Sequence, residues 1–202
     1  MTVAIVDYGV GNLASVAAAV EKVGFNAVVT DDADTIKTAD KLILPGVGAF
    51  GDGMKLLRER GLVDPLNTAV LTLKTPILGI CLGFQLIANK SEEFGEHQGL
   101  GWVDADVVRL TPDDPSLRVP HVGWNELYQT KPSPLFEDIE DGTLFYYVHS
   151  YQLHPTLDAV VIGECDYGGR FVAAVHHTHT FALPFPRANT PLGGFALLKH
   201  LL

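Results

Sequence analysis

Cysteine is scarce in this chain. Its 202 residues include two, Cys81 and Cys165, far apart and in no Cys-x-x-Cys spacing. That rules against a disulfide framework and fits a reduced, cytoplasmic setting. Positive charge is also short, with 14 Lys and Arg against 24 Asp and Glu, a net −10. Such a balance disfavours a nucleic-acid backbone or an anionic membrane as partner, although it leaves room for a local basic patch. No apolar stretch approaches the length of a membrane span, and no basic leader precedes the first strand-like run, so neither an anchor nor a secretory signal is expected. Repeats and low-complexity linkers are absent as well. What remains is an ordinary globular composition, 47% hydrophobic and 19% charged, long enough for one α/β domain with a sizeable core.

The rest of the chain is organised around Thr75–Ala88. Pro76 opens a short apolar run, Ile77 to Ile80, that suits a strand buried on both faces. Cys81 ends the run, Gly83 follows, and Leu82–Lys90 has helix-compatible composition. A Gly-x-Cys-x-Gly sequence at a strand-to-helix junction permits a tight turn that exposes the central nucleophile. The following helix would bring free N–H groups and positive dipole to the sulfur, favouring thiolate. Gln85, one turn on, should face the same side as Cys81. A buried, inert cysteine is the alternative reading of the same residue.

In chain order, Val3–Asp7 reads as a strand, Tyr8–Asn12 as a turn and Leu13–Val23 as a helix ending at Gly24. Gly9 and Gly11 lack the third glycine and the acidic residue of a dinucleotide fingerprint, so a plain turn is expected there. Asn26–Thr30 and Lys41–Leu44 read as strands joined by a polar connector, Asp31–Asp40. The third strand runs into Pro45-Gly-Val-Gly48, a turn whose glycines let backbone N–H groups face a ligand. Asp52–Arg60 and Leu62–Leu73 look helical. Gly101–Leu110, His121–Tyr128, Leu144–Leu153, Val160–Tyr167, Arg170–His177 and Phe181–Phe185 read as strands, mostly antiparallel, and Leu192–Leu202 as a closing helix. The expected fold is α/β: a doubly wound, mostly parallel sheet with helices on both faces, plus antiparallel strands in the C-terminal half, in one domain over residues 1–202.

Five stretches carry a resemblance: Asp7-Tyr-Gly-x-Gly-Asn-Leu13, Leu44-Pro-Gly-Val-Gly-Ala-Phe50, Gly79-Ile-Cys-Leu-Gly-x-Gln85, Pro120-His-x-Gly-Trp-Asn125 and Phe145-Tyr-x-Val-His-Ser-Tyr151. Together they resemble class I (triad-type) glutamine amidotransferase domains, most closely the glutaminase subunit of imidazole glycerol phosphate synthase. The resemblance implies that Cys81 attacks the glutamine side-chain amide, giving a glutamyl thioester and ammonia. It implies an oxyanion hole from the backbone of Val47 and Leu82, and glutamine contacts at Gly46, Gly48, Gln85, Ser150 and Tyr151. Asn12 and Trp124 match positions at the contact with a (β/α)₈-barrel cyclase subunit that consumes the ammonia. No cofactor or metal is implied.

One segment departs from that pattern. The family follows its last strand with Phe-His-Pro-Glu, where His is the general base and Glu orients it. Aligned without a gap, Phe185 matches, but Pro186 falls at the His position, Arg187 at the Pro and Ala188 at the Glu. His177 and His179 would share one strand face, and a rearranged hairpin could bring one to the sulfur. As a metal pair they lack a third ligand of sensible spacing, and as hairpin residues they carry no chemistry. His121 and His149 read as structural or interface residues. Three functions compete: an ammonia-producing subunit, impaired by Pro186 and Ala188; a silent subunit that binds and regulates a cyclase; and a paralogue feeding an amidating enzyme of surface-sugar synthesis.

Overall fold

The computed structural model describes residues 1–184 and 198–199. Its first half alternates strands and helices: β1 (Thr2–Val6), α1 (Leu13–Lys22), β2 (Asn26–Thr30), α2 (Ala33–Thr38), β3 (Lys41–Leu44), α3 (Phe50–Glu59), α4 (Val63–Asn67), β4 (Ile77–Ile80) and α5 (Leu82–Leu86). The second half is β-rich: β5 (Lys90–Ser91), β6 (His97–Gln98), β7 (Ala105–Arg109), β8 (His121–Gln129), β9 (Thr143–His149), β10 (Tyr151–Pro155), β11 (Val161–Asp166), β12 (Arg170–His177) and β13 (Thr180–Leu183).

All these strands join one sheet. Its main path runs β2-β1-β3-β4-β13-β12-β10-β7-β5-β6, with β11 branching from β12 toward the β8–β9 hairpin. β2, β1, β3, β4 and β13 are parallel neighbours. β12 turns the sheet antiparallel against β13, β11 and β10. The antiparallel half therefore extends the parallel half.

Alternation along β1 divides the core. Ala4 and Val6 pack with Ile36 of α2, Met54 and Leu57 of α3, Leu66 of α4 and Phe84 of α5. Val3 and Ile5 belong to the opposite apolar layer, which includes Ala19 and Val20 of α1 and extends to Phe145 and Tyr147 of the hairpin. Residues of one strand point to opposite faces, so two apolar layers cover β4 and leave its carboxyl end as the exit for the chain.

Several boundaries differ from expectation. The connector after β2 contains α2, a helix too short to show a period, capped by Asp32 Oδ2 on Thr35 N at 2.7 Å and anchored by buried Ile36. The Leu62–Leu73 helix passes into a π-helical turn at Thr68–Thr72. The helix after Cys81 stops at Leu86, because the next residues are drawn into sheet pairing: Asn89 N–H bonds Ala105 O at 2.8 Å, and Lys90 pairs with Gln98. The Leu144–Leu153 strand breaks at Ser150, where β9 leaves its partner β8 and β10 takes up β7. The expected closing helix, like Phe185, Pro186, Arg187 and Ala188, lies outside the described residues, apart from helical Leu198 and Lys199.

Candidate active site

Cys81 sits between β4 and α5 with φ +56° and ψ −111°. A non-glycine residue in that region is strained, and such strain persists only where the surroundings hold it. They do so here through two glycines. A Cβ on Gly83 would lie 1.8 Å from Leu44 O, and one on Gly79 would lie 2.7 Å from Gly83 O. Both positions are closed to any side chain, so α5 packs directly on the ends of β3 and β4 and aims residue 81 outward. Cys81 N–H donates to Leu183 O at 3.0 Å, tying the turn to β13.

The thiol opens on a cleft of about 510 Å³. Val47 and Gly48 from the Pro-Gly-Val-Gly turn, Leu82 and Gln85 from the elbow, and Ser150 and Tyr151 from the β9–β10 break all line it. Residues far apart in sequence thus converge, because three loops lie at the same end of the sheet. Gly46 lies beneath these residues. It is buried behind the cleft wall, where an added Cβ would come within 2.0 Å of the Tyr8 hydroxyl and 2.9 Å of Leu82 Cβ. A glycine is required there by close packing under the turn.

Sequence reasoning missed Glu93, His149, Pro120, Tyr146, Val148 and Pro184 on the cleft wall. Glu93 supplies a carboxylate, and one of its oxygens accepts from Phe50 N–H at 2.7 Å, serving the uncapped start of α3. Nothing local in Glu92-Glu-Phe94 distinguishes it from a solvated acid. His149 stood inside a recognised motif, yet its side chain was assigned no chemistry. Tyr8, below the elbow, is fully buried, and its hydroxyl has no hydrogen-bond partner among the described residues. Burial, and then the nearby Cys81 charge, push its ionisation far upward, so it remains a neutral phenol.

The thiolate expectation needs correction. Burial raises the Cys81 pKa above the ordinary thiol value, and the Leu82 N–H only partly offsets this. A five-residue helix offers too little dipole to outweigh desolvation. The Leu82 N–H also lies 3.4 Å from Gly46 O, so the sulfur and a carbonyl compete for it. Cys165 is fully buried on β11 and pushed up to about 11 by its surroundings, which leaves Cys81 as the accessible thiol.

His177 and His179 are not brought to the sulfur. They flank the β12–β13 turn, and Ile77 N–H, at the amino end of β4, donates to His179 O at 3.0 Å. Cys81 lies beyond the carboxyl end, roughly 13 Å away along a four-residue strand. Both rings are engaged locally, His177 Nδ1 with Trp102 O at 3.2 Å and His179 Nε2 with Val70 O of the π turn at 2.6 Å. Among the described residues no group of three potential ligands could hold a metal ion.

The two expected partner contacts are on the surface. Asn12 is exposed and caps α1, its Oδ1 accepting from Ser15 N at 3.3 Å. Trp124 is 50% exposed and packs edge-on against Tyr146, ring centroids 5.4 Å apart. Around it Val122, Leu144 and Val148 are each about half exposed. Val122 pairs with Val148, and Trp124 with Tyr146, across the hairpin. The result is one apolar sheet face that continues into the cleft through Tyr146 and Val148. No helix among the described residues is long and apolar enough to cross a membrane.

The comparisons with known proteins agree with this geometry. The imidazole glycerol phosphate synthase subunit HisH of Syntrophotalea carbinolica is 44% identical over 202 residues, spanning 98% of each chain. That of Sulfurimonas denitrificans is 46% identical over 190 residues, spanning 93% of this chain and 91% of its own. The structure of PurLQS from Thermotoga maritima is similar with a TM-score of 0.75 at 18% identity, covering 99% of this chain and 96% of its own, and attests the fold alone. A family model described as glutamine amidotransferase class-I matches residues 4–185. With a cysteine elbow at the carboxyl edge of a parallel sheet and relatives of this similarity, the chain belongs to the class I glutamine amidotransferase family.

Proposed function

We propose that residues 1–202 form a single amidotransferase domain acting as the glutamine-hydrolysing subunit of an imidazole glycerol phosphate synthase, within histidine biosynthesis in the cytoplasm. The observation that carries the reading is Cys81, held at φ +56° and opening on a cleft that three sheet-end loops share. The Cys81 thiolate attacks the side-chain carbonyl carbon of glutamine. Its oxygen takes the negative charge, facing the N–H groups of Val47 and Leu82. Collapse expels the nitrogen, which takes a proton from solvent water to depart as ammonia because Pro186 offers none, and leaves a glutamyl thioester; the hydroxide so formed then cleaves the thioester to glutamate and the free thiol. Glu93 suits the α-ammonium group of the substrate, and Gly48, Gln85, Ser150 and Tyr151 complete the contacts.

The ammonia passes to a cyclase subunit with a (β/α)₈ barrel, docked on the face of Val122, Trp124, Tyr146 and Val148, with Asn12 at its margin. An exposed apolar face that runs into the cleft supports this placement, since a partner there would cover both. Removing a general acid–base group costs roughly 10²–10⁴-fold in rate, so Pro186 and Ala188 imply slow hydrolysis. The silent-subunit reading rests on the same two residues. Glutamine hydrolysis by the purified chain, with and without the cyclase subunit of its own organism, tests the proposal. Partner-stimulated glutamate release that Cys81→Ala abolishes supports it. Tight association without any Cys81-dependent release, or release indifferent to Cys81→Ala, overturns it.

A further inference from the structure

Behind the cleft wall, one carbonyl fixes the polarity of a hydrogen-bond chain. Tyr151 O can only accept, and two donors converge on it: Gln85 Nε2 at 3.3 Å and His149 Nδ1 at 3.0 Å. His149 therefore carries its proton on Nδ1, which leaves Nε2 of the neutral ring as an acceptor. That acceptor lies 3.1 Å from Nδ1 of His121, so His121 also carries its proton on Nδ1. Its own Nε2 is then a bare lone pair, and it has no partner among the described residues.

Several features hold the pair in this state. His121 opens β8 and His149 closes β9, directly opposite each other in register. The His121 ring is 1% exposed, stacked at 3.9 Å on Tyr167 and at 5.1 Å on Tyr147, with Phe171 edge-on at 5.6 Å. Burial, and then the neighbouring His149, lowers the pKa of His121 to about 4, and burial lowers that of His149. Both rings are neutral at neutral pH, and the two tautomers follow.

The consequence falls on Gln85. With its nitrogen committed to Tyr151 O, its Oε1 is the atom left to face the cleft as an acceptor. Turned over, the amide would set two oxygens against each other at Tyr151 and offer an N–H to the N–H donors of a ligand. We propose that His149, backed by His121, is a positioning residue for the substrate: it fixes the Tyr151 carbonyl and thereby the orientation in which the Gln85 amide meets glutamine. The inference rests on the reading of the cleft as the glutamine site.

Two measurements test it. Long-range ¹H–¹⁵N correlation spectra of the ¹⁵N-labelled chain at pH 7 should show His121 and His149 as Nδ1–H tautomers. An Nε2–H tautomer at His149 overturns the proposal whether or not glutamine binds. The second measurement is saturable alkylation of Cys81 by a glutamine-like chloroketone, with iodoacetamide as the reference for bare thiol reactivity. His149→Phe should raise the half-saturating concentration about tenfold, the worth of one buried hydrogen bond, and change the limiting rate less than about threefold. His149→Asn, whose Nδ2 takes the place of Nδ1, should recover most of the affinity. His149→Gln reaches His121 but lacks the inner donor, and should bind less well than His149→Asn even if His149→Phe does not fold. Equal affinity of the Asn and Gln variants overturns the proposal. If the unmodified chain shows no saturation, the glutamine reading fails, and the tautomers still decide the fate of the pair.

Discussion

Side chains at the elbow divide into those that shape it and the one that reacts. An added methyl group at Gly83 meets Leu44 O at 1.8 Å, and backbone cannot yield as a flexible side chain does. Gly83→Ala should therefore cost about 3 kcal/mol in urea unfolding and slow Cys81 alkylation as well, because α5 must shift. The reacting residue carries a pH prediction. Only the thiolate is a nucleophile, and burial holds the Cys81 pKa above that of a free thiol. In the isolated chain, iodoacetamide labelling of Cys81 should thus still rise with pH where a model thiol has levelled off. A profile that levels below the model thiol would contradict this. Gly-x-Cys-x-Gly was legible in the sequence because the clash it avoids is local. The pKa was not, because desolvation depends on how the other cleft loops close around the sulfur.

Elements tell a similar story at longer range. The five strands β1, β2, β3, β4 and β12 were readable from short apolar runs and their turns, close to the residues observed. α2 was not, since six residues with one buried position, Ile36, give no period. The break at Ser150 was also hidden, because it reflects a change of partner between β8 and β7 with no local turn signal. The β8–β9 hairpin has a two-faced pattern: Phe145 and Tyr147 point inward, while Val122, Trp124, Leu144 and Val148 point out. A solvent face built from such residues suits a partner. Trp124→Glu should weaken association with the cyclase subunit at least about 30-fold, roughly 2 kcal/mol for a central aromatic contact. Stability of the isolated chain should change by less than about 1 kcal/mol, since the ring is half exposed. Calorimetry of binding beside denaturant unfolding separates the two effects.

At the scale of the whole molecule, the parallel sheet has two ends with different duties. Its carboxyl end gathers Val47, Cys81 and Pro184 at the cleft; its amino end near β4 carries His177 and His179. The resemblance gave the function and most of the cleft from sequence. It left open whether a histidine from the turn could replace the missing base, and the β4–β13 register answers that by distance. His177→Ala and His179→Ala should leave glutamine hydrolysis within about twofold, although His179→Ala should cost about 1 kcal/mol through its bond to Val70 O. Pro186→His combined with Ala188→Glu should raise hydrolysis in the complex by roughly 10²–10⁴-fold. A single replacement at 186 should gain less, for want of the orienting carboxylate. Steady-state glutamate release across the four variants checks the rates, and urea unfolding of His179→Ala checks the stability.

The close approach of Gly83 to Leu44 also bears on how such sequences change over generations. A descendant that gave up hydrolysis would still be held to glycine at 79 and 83, because the penalty there is steric and is exacted at folding. The two glycines thus record the shape of a turn, and only the sulfur between them, free to drift once it is unused, records a reaction.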